Sequence, residues 1–220
     1  TAWGDLFNSR QKLALITFTG KVRDVYQRIQ HENDSEYAKA VSTYMAIILN
    51  RLADKNATLV VYNVVGEKIE HVFGRQALQM TWDYVELNPF TDVGWLNMQH
   101  WVELAIDRLS QIPRSTERSM VHVTQTSAIS LPYPDNHFDA VITDPPYYDN
   151  VPYSYLSDFF YVWFKRSVGY LYPEFFATPL TPKNEEIVAY SKVEDGKETG
   201  NDFFESMLKK SFIEITRVLK

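Results

Sequence analysis

The sequence contains no cysteine, and this absence removes several classes of protein at once. Disulfide scaffolds, zinc ribbons and cysteine nucleophiles are excluded within these 220 residues. The five histidines include no pair at the H-x-x-x-H spacing of a helical metal site. We therefore predict no metal site in this chain.

Long apolar runs, a signal peptide and an excess of positive charge are also missing. No stretch approaches the roughly 20 apolar residues of a membrane-spanning helix, so no membrane association is predicted. The net charge is −6, which argues against a protein that binds DNA through phosphate contacts alone. It does not exclude an enzyme with a locally basic surface. The simplest interpretation is a cytoplasmic protein.

Both ends of the chain look cut. The sequence opens without a methionine and stops on "FIEITRVLK", inside a helical pattern that has no stop signal. We therefore expect a piece of a longer protein. Aromatic residues make up 15% of the chain and cluster after residue 144, which draws attention to that part of the sequence.

The hydrophobic pattern predicts helices in the first half of the chain and a mixture of strands and helices in the second. Helices are predicted over 8–30, 36–53, 94–110, 155–166 and 202–219, a hairpin over 57–74, and strands over 119–125 and 138–143. The order strand, loop, strand, loop, helix after residue 119 predicts part of a parallel α/β sheet. The polar segment 181–202 is expected to be a mobile loop.

The stretch "FDAVITDPPYYDN" (138–150) holds the most informative motif. Asp144, Pro145, Pro146 and Tyr147 follow directly on the second predicted strand. In open parallel sheets, ligands bind just beyond the carboxyl ends of the strands. Two prolines there form a stiff turn without N–H donors, so the Pro145 carbonyl and the Asp144 carboxylate would face outward as a fixed pair of acceptors.

Two neighbouring acceptors suit a group with two N–H donors, such as the exocyclic amine of adenine or cytosine. Hydrogen bonds from that amine to Asp144 and Pro145 would favour a tetrahedral nitrogen and free its lone pair for attack on a methyl sulfonium. Tyr147 offers a face on which the base can stack. A base in a duplex would have to flip out to reach this site. The motif therefore predicts methyl transfer to a base amine.

Two other interpretations of the motif do not involve catalysis. The double proline could simply end a strand. The letters "PPYY" also match the P-P-x-Y pattern that WW domains bind, but that pattern requires an exposed, extended segment, and this one follows a strand that is predicted to be buried.

The rest of the loop supplies the predicted base pocket. Tyr148, Asn150 and Tyr153 are the candidates, because loop residues on a rigid scaffold commonly carry binding functions. The helix predicted over 155–166 also carries a stripe of aromatic residues. A stripe at helical spacing is more often core than a platform for bases.

The segment "SAISLPYPDNHFDAVITDPPYYDNVPYSYLSDFFYVWFKR" (127–166) resembles the amino-methyltransferase core. It is particularly similar to a family of predicted adenine-specific DNA methylases that carry the DPPY motif. Three further segments resemble the same family: "WGDLFNSRQKLAL" (3–15), "GEKIEHVFGRQALQMTWDYVELNPF" (66–90) and "KNEEIVA" (183–189).

The resemblance implies a partial Rossmann-like α/β methyltransferase core. Residues 1–118 would be a helical and β-hairpin region inserted in that domain, and residues 119–220 part of the catalytic core. S-adenosylmethionine would be the methyl donor, DNA the partner, and adenine N6 the acceptor. The aspartate before the two prolines favours adenine over cytosine by the same family association.

The chain also departs from the family pattern. Such enzymes bind the donor through a glycine-rich loop, and the eight glycines here include no G-x-G pair. This departure fits a central fragment of the parent protein. Ser127 and Ala128 stand where the family often has an acid that contacts the donor's adenine, so they are the candidate cofactor-binding residues.

Two alternative functions remain open from the sequence. Related sites modify RNA or protein amides, so the substrate could differ while the chemistry stays the same. The missing glycine loop also allows a nucleic-acid-binding module that is catalytically incomplete. This chain alone could likewise be inactive while its parent protein is an enzyme.

Overall fold

The computed structural model describes residues 2–32, 34–112, 121–148, 151–184, 186–189 and 200–220. These residues form a mixed but mostly helical structure. The α-helices are α1 (Ser9–Glu32), α2 (Ser35–Lys55), α3 (Trp95–Ser110), α4 (Tyr153–Val168) and α5 (Gly200–Val218), and the strands are β1 (Tyr62–Asn63) and β2 (Lys68–Ile69). Short 3-10 turns cover Trp3–Leu6 and Gly169–Leu171.

The chain divides into two compact units. Unit 1 comprises Thr1–Pro113 and Ser154–Thr181, and unit 2 comprises Arg114–Tyr153 and Pro182–Lys220. The sequence predicts a boundary near residue 118, with residues 119–220 in one core, and this division stays a prediction. In the structure, most of α4 belongs to unit 1. That residues 1–118 are an insertion in a methyltransferase domain stays a prediction.

The first two helices of unit 1 begin where side chains satisfy their free N–H groups. Asn8 Oδ1 accepts a hydrogen bond from the Gln11 N–H, and Gln11 Oε1 accepts one from the Asn8 N–H, both at 2.9 Å. This is a reciprocal capping box, and it satisfies two free N–H groups at the start of α1. Asp34 caps α2 through a 3.3 Å hydrogen bond from the Glu36 N–H.

The predicted hairpin is present but very short. β1 and β2 pair antiparallel, with Tyr62 opposite Ile69 and Asn63 opposite Lys68. The Asn63 side chain accepts a hydrogen bond from the Gly66 N–H at 2.8 Å and so closes the turn. This two-stranded hairpin is the only sheet among the described residues.

Aromatic side chains from distant parts of the sequence form the core of unit 1. Phe159 on α4 is buried, and its ring meets Trp3, Phe7 and Phe73 at centroid distances of 6.1, 5.7 and 5.3 Å. Trp163, one helical turn later, is also buried and packs on Phe7. The core interpretation of the aromatic stripe is therefore confirmed for Phe159 and Trp163.

In unit 2, the last turns of α5 hold the segment before the proline motif. The Arg217 guanidinium donates to Asp135 at 2.6 Å, to Glu214 at 2.7 Å and to the Leu131 carbonyl at 3.1 Å. Backbone hydrogen bonds then join residues 136–138 to residues 217–220, with a single parallel bridge between Phe138 and Leu219.

The prediction of strands over 119–125 and 138–143 is wrong for the described residues. Residues 121–127 and 139–147 have no regular structure, apart from the bridge at Phe138. The exposed fractions of Val121, Val123 and Ile142 are 90%, 95% and 97%. A strand needs a neighbour to satisfy its backbone groups and cover its apolar side chains, and the described part of the chain provides none for these segments.

The parallel sheet expected from the sequence is accordingly not formed by the described residues. The segment 181–202 is expected to be a mobile loop; residues 185 and 190–199 lie outside the described ranges, and α5 begins at Gly200. No helix in the described ranges is long and apolar enough to cross a membrane.

Candidate functional site

The proline motif forms an exposed loop in unit 2. Asp144 and Pro145 are exposed, and Pro146 is partly covered. Within the described part of the chain, the Asp144 carboxylate makes no hydrogen bond and no ion pair. A carboxylate that has no structural partner remains available to accept hydrogen bonds from a ligand.

The aromatic residue of the motif is held by its backbone and not by its ring. The Tyr147 N–H donates to the hydroxyl oxygen of Tyr153 at 3.3 Å. The Tyr147 side chain is 59% exposed, so a large part of its ring is accessible. Tyr153 is the first residue of α4, and its hydroxyl thus ties the loop to the beginning of that helix.

Tyr148 contributes mainly to anchoring the loop. Its carbonyl accepts a hydrogen bond from the Ala189 N–H at 2.8 Å, and its ring meets the edge of Phe204 at a centroid distance of 4.9 Å. Val188 and Ala189 are buried, and Phe204 lies on α5. The loop is therefore anchored at its C-terminal end, at Tyr147 through the Tyr153 hydroxyl and at Tyr148 through Ala189 and Phe204.

The structure brings together only some of the predicted site residues. Asp144, Pro145, Pro146, Tyr147 and Tyr148 are consecutive in the loop, and Tyr153 joins them through its hydroxyl. Asn150, predicted for the base pocket, lies outside the described residues. The roles assigned to these side chains stay predictions.

Ser127 and Ala128, the predicted cofactor-binding residues, are both exposed. The Ser127 carbonyl accepts a hydrogen bond from the Ser130 N–H at 3.1 Å and so closes a tight turn. In the described parts of the chain, neither side chain contacts the proline motif. The Ser127 carbonyl thus helps to form a turn, and the cofactor-binding role of these two residues stays a prediction.

The sequence pattern did not predict which residues outside the loop hold it in place. Val188 and Ala189 belong to the segment "KNEEIVA", which the sequence singled out only for its resemblance to the family. Their short apolar run inside a polar stretch was the available signal. The contact of Phe204 with Tyr148 had no local signal, because the two residues are far apart in the sequence.

The site contains no grouping that would hold a metal ion. Across the described ranges, no three histidine, aspartate or glutamate side chains gather in a metal-binding arrangement. No protein-family model, no curated protein and no solved structure matches the chain. The family resemblance of the sequence therefore stays a resemblance, and the function has to be argued from the loop itself.

Proposed function

We propose that this chain is the base-binding part of an S-adenosylmethionine-dependent methyltransferase that modifies adenine N6 in DNA. The observation that carries the proposal is the exposure of the Asp144 carboxylate and its lack of a partner among the described residues. The carboxylate stands directly before the Pro145 carbonyl in a loop that is anchored on its C-terminal side at Tyr147 and Tyr148.

The loop offers what an exocyclic amine needs. An aminopurine has two amine hydrogens, and Asp144 and the Pro145 carbonyl supply two acceptors that need no other partner. Because the prolines restrict the backbone, the acceptors are positioned before the base arrives. The amine nitrogen then directs its lone pair away from the ring plane, as an attack on a methyl group requires.

The exposed ring of Tyr147 supports the same assignment. A flat aromatic face beside the acceptors can hold the base by stacking, which contributes about 1–3 kcal/mol per base. Tyr153 holds the Tyr147 backbone through its hydroxyl, two residues after Pro145 in the chain. The arrangement suits a base that has left its duplex.

The sequence has no G-x-G loop to bind the methyl donor, and the predicted donor contacts Ser127 and Ala128 are exposed turn residues. S-adenosylmethionine would supply an electrophilic methyl group. The chemistry assigned to this chain is therefore the binding and orientation of the amine.

The bare apolar segments before the motif support a larger core around it. Val121, Val123 and Ile142 are almost fully exposed, in segments without regular structure that no described strand pairs. Exposed apolar residues with an alternating strand pattern are expected where a partner covers them. The Rossmann-like sheet is proposed on this ground, and the cytoplasmic location stays a prediction.

The proposal is tested with the full-length protein, tritium-labelled S-adenosylmethionine and unmethylated DNA. We expect Asp144→Ala to lower label transfer by about 100-fold or more, because it removes one of the two amine acceptors. Asp139→Ala is the matched control, since Asp139 is an exposed aspartate that precedes the motif and pairs with Lys220 at 2.7 Å. Equal transfer by Asp144→Ala and the wild type would refute the mechanism.

The same assay separates the alternatives. Label that enters RNA or a protein amide, and not DNA, would keep the chemistry but overturn the substrate. DNA binding by the wild type without any transfer would indicate a nucleic-acid-binding module. Tyr147→Phe keeps the ring and is expected to retain transfer, whereas Tyr147→Ala removes the stacking face and is expected to weaken binding of the base.

A further inference from the structure

A second concave site lies entirely in unit 1, between the first turns of α1 and the segment 86–90. It encloses about 730 Å³, within the range of about 300–1,000 Å³ that is typical of small-molecule pockets. Its walls are largely apolar and include Phe18, Leu87 and Phe90. Nothing in the proposed amine chemistry uses this pocket.

Two buried amide side chains form part of the pocket wall. Gln11 and Asn56 are each only 1% exposed. Gln11 Nε2 and Asn56 Oδ1 have no hydrogen-bond partner among the described residues. A buried polar atom without a partner costs folding free energy, so such atoms in a pocket wall point to a ligand that satisfies them.

The hydrogen bond that Gln11 already makes determines which atom of its side chain is left to bind a ligand. Its Oε1 already accepts the Asn8 N–H in the capping box at the start of α1, so Nε2 remains as a spare donor. Asn56 supplies the complementary acceptor through Oδ1. The pocket-lining residues thus hold one spare donor and one spare acceptor of the amide type, and a ligand reaches them only by displacing the atoms that cover them.

The aromatic side chains of the pocket select for a flat ligand. Phe18 is stacked on Trp95 with ring centroids 4.5 Å apart, which holds its ring in place. Phe90 stands 6.0 Å from Phe18 and is 83% exposed, so it can turn to admit a ligand or to cover one. Planar rings that bury large apolar area suit such walls.

The two cationic side chains at the pocket, Arg10 and Lys21, differ in where their acidic partners lie. Arg10 is engaged by Glu86 through two hydrogen bonds of 2.7 and 2.6 Å, which fixes segment 86–90 against α1. Lys21 stands elsewhere on the rim, and its partner Asp24 does not line the pocket. The rim therefore tolerates an anionic group beside Lys21.

We propose that this pocket binds a nucleobase, with Gln11 Nε2 and Asn56 Oδ1 recognising its polar edge and Phe18 and Phe90 enclosing its ring. A purine edge carries both an acceptor and a donor, which is why asparagine and glutamine side chains recognise adenine. The base could belong to a free nucleotide or to an unpaired nucleotide of a strand. The inference does not rest on the proposed methyl transfer, because none of its residues belongs to unit 2.

Titration calorimetry with AMP, ribose 5-phosphate and a single-stranded oligodeoxyadenylate tests this inference. We expect AMP or the oligonucleotide to bind, and ribose 5-phosphate to bind at least about tenfold more weakly, because it has no base. Binding of AMP identifies a free-nucleotide site, and binding of the oligonucleotide alone identifies a site for a strand. Failure of both probes to bind would overturn the inference.

Variants connect the binding to the amides. Asn56→Leu removes the acceptor and is expected to weaken binding about tenfold, and Gln11→Glu removes the donor with a similar result. Asn50→Leu is the matched control: Asn50 is on α2, the helix that ends just before Asn56, its Oδ1 is also buried and has no partner among the described residues, and it does not line the pocket.

A variant of an exposed residue controls for the case in which the variants of buried residues fail to fold. Phe90→Ala changes only a rim side chain, so it should fold normally and still weaken binding. Unchanged affinity in both Phe90→Ala and Asn56→Leu would contradict the site. Asp144→Ala is expected to leave AMP binding unchanged, which separates a failure of this inference from a failure of the proposed methyl transfer.

Discussion

Gly94 has no space for a side chain. A Cβ atom built on it would stand 2.4 Å from the Pro89 carbonyl oxygen and 2.8 Å from the Asn88 carbonyl oxygen. These backbone atoms cannot move away easily, because the Pro89 carbonyl accepts the Trp95 N–H at 2.9 Å where α3 begins. The turn at 88–94 and the start of α3 therefore depend on this glycine.

We expect Gly94→Ala to lower the free energy of unfolding by about 3 kcal/mol, because the backbone has to shift to admit a methyl group. Gly20→Ala is the contrasting variant: nothing lies within 4 Å of its Cβ position, and Gly20 is inside α1. That change should stabilise by about 1 kcal/mol, since alanine favours the helix. Urea denaturation measures both changes, and equal signs would contradict this account.

At the scale of elements, one cluster of charges joins α5 to the segment before the motif. Glu214 accepts hydrogen bonds from Arg217 at 2.7 and 3.0 Å and from the Leu131 N–H at 2.8 Å. These hydrogen bonds lower the pKa of Glu214 from its ordinary 4.5 to about 2. Protonation of Glu214 would weaken the attachment of the segment 131–138.

The cluster gives unit 2 a defined response to acid. Because the pKa of Glu214 is lower in the folded state, its contribution to stability is complete above about pH 4.5 and is lost as the pH falls towards 2. We expect the amide resonance of Leu131 to titrate over this window. Glu214→Gln should abolish that titration, whereas Glu205→Gln, on the same helix but outside the cluster, should leave it unchanged.

The helices could be predicted from the sequence because their signals are local. The start of α1 follows from the Asn8 and Gln11 side chains, and the apolar spacing of α2 and α3 lies within each segment. The segments 121–127 and 139–143 carry a genuine strand pattern, but a strand forms only beside a partner. Pairing depends on residues far away in the sequence, so local pattern alone could not decide it.

The candidate site could also be predicted only where its signals are local. The prolines made the loop at 144–147 predictable, but its exposure was not, because the segment before it was predicted to be a buried strand. The anchoring of Tyr148 by Ala189 and Phe204 could not be predicted, because it joins three separate segments. The unpaired amides of Gln11 and Asn56 were hidden for a similar reason, since burial of a polar atom depends on packing.

At the scale of the whole molecule, stability of unit 1 depends on α4. We expect Phe159→Ala to lower the free energy of unfolding of unit 1 by about 3–5 kcal/mol, because the change leaves a cavity between Trp3, Phe7 and Phe73. Tryptophan fluorescence during urea denaturation measures this loss. Val65→Ala, at a fully exposed position of unit 1, should change the stability by less than about 0.5 kcal/mol.

Unit 1 is assembled from two stretches of chain, Thr1–Pro113 and Ser154–Thr181, and this has a consequence for the order of events during synthesis. A ribosome delivers Phe7 and Phe73 long before it delivers Phe159 and Trp163, which complete their packing. Until α4 leaves the exit tunnel, the nascent chain carries an unfinished apolar surface. Unit 1 is therefore the first unit to emerge, but it cannot complete its folding until α4, which is translated after the proline motif, has been made.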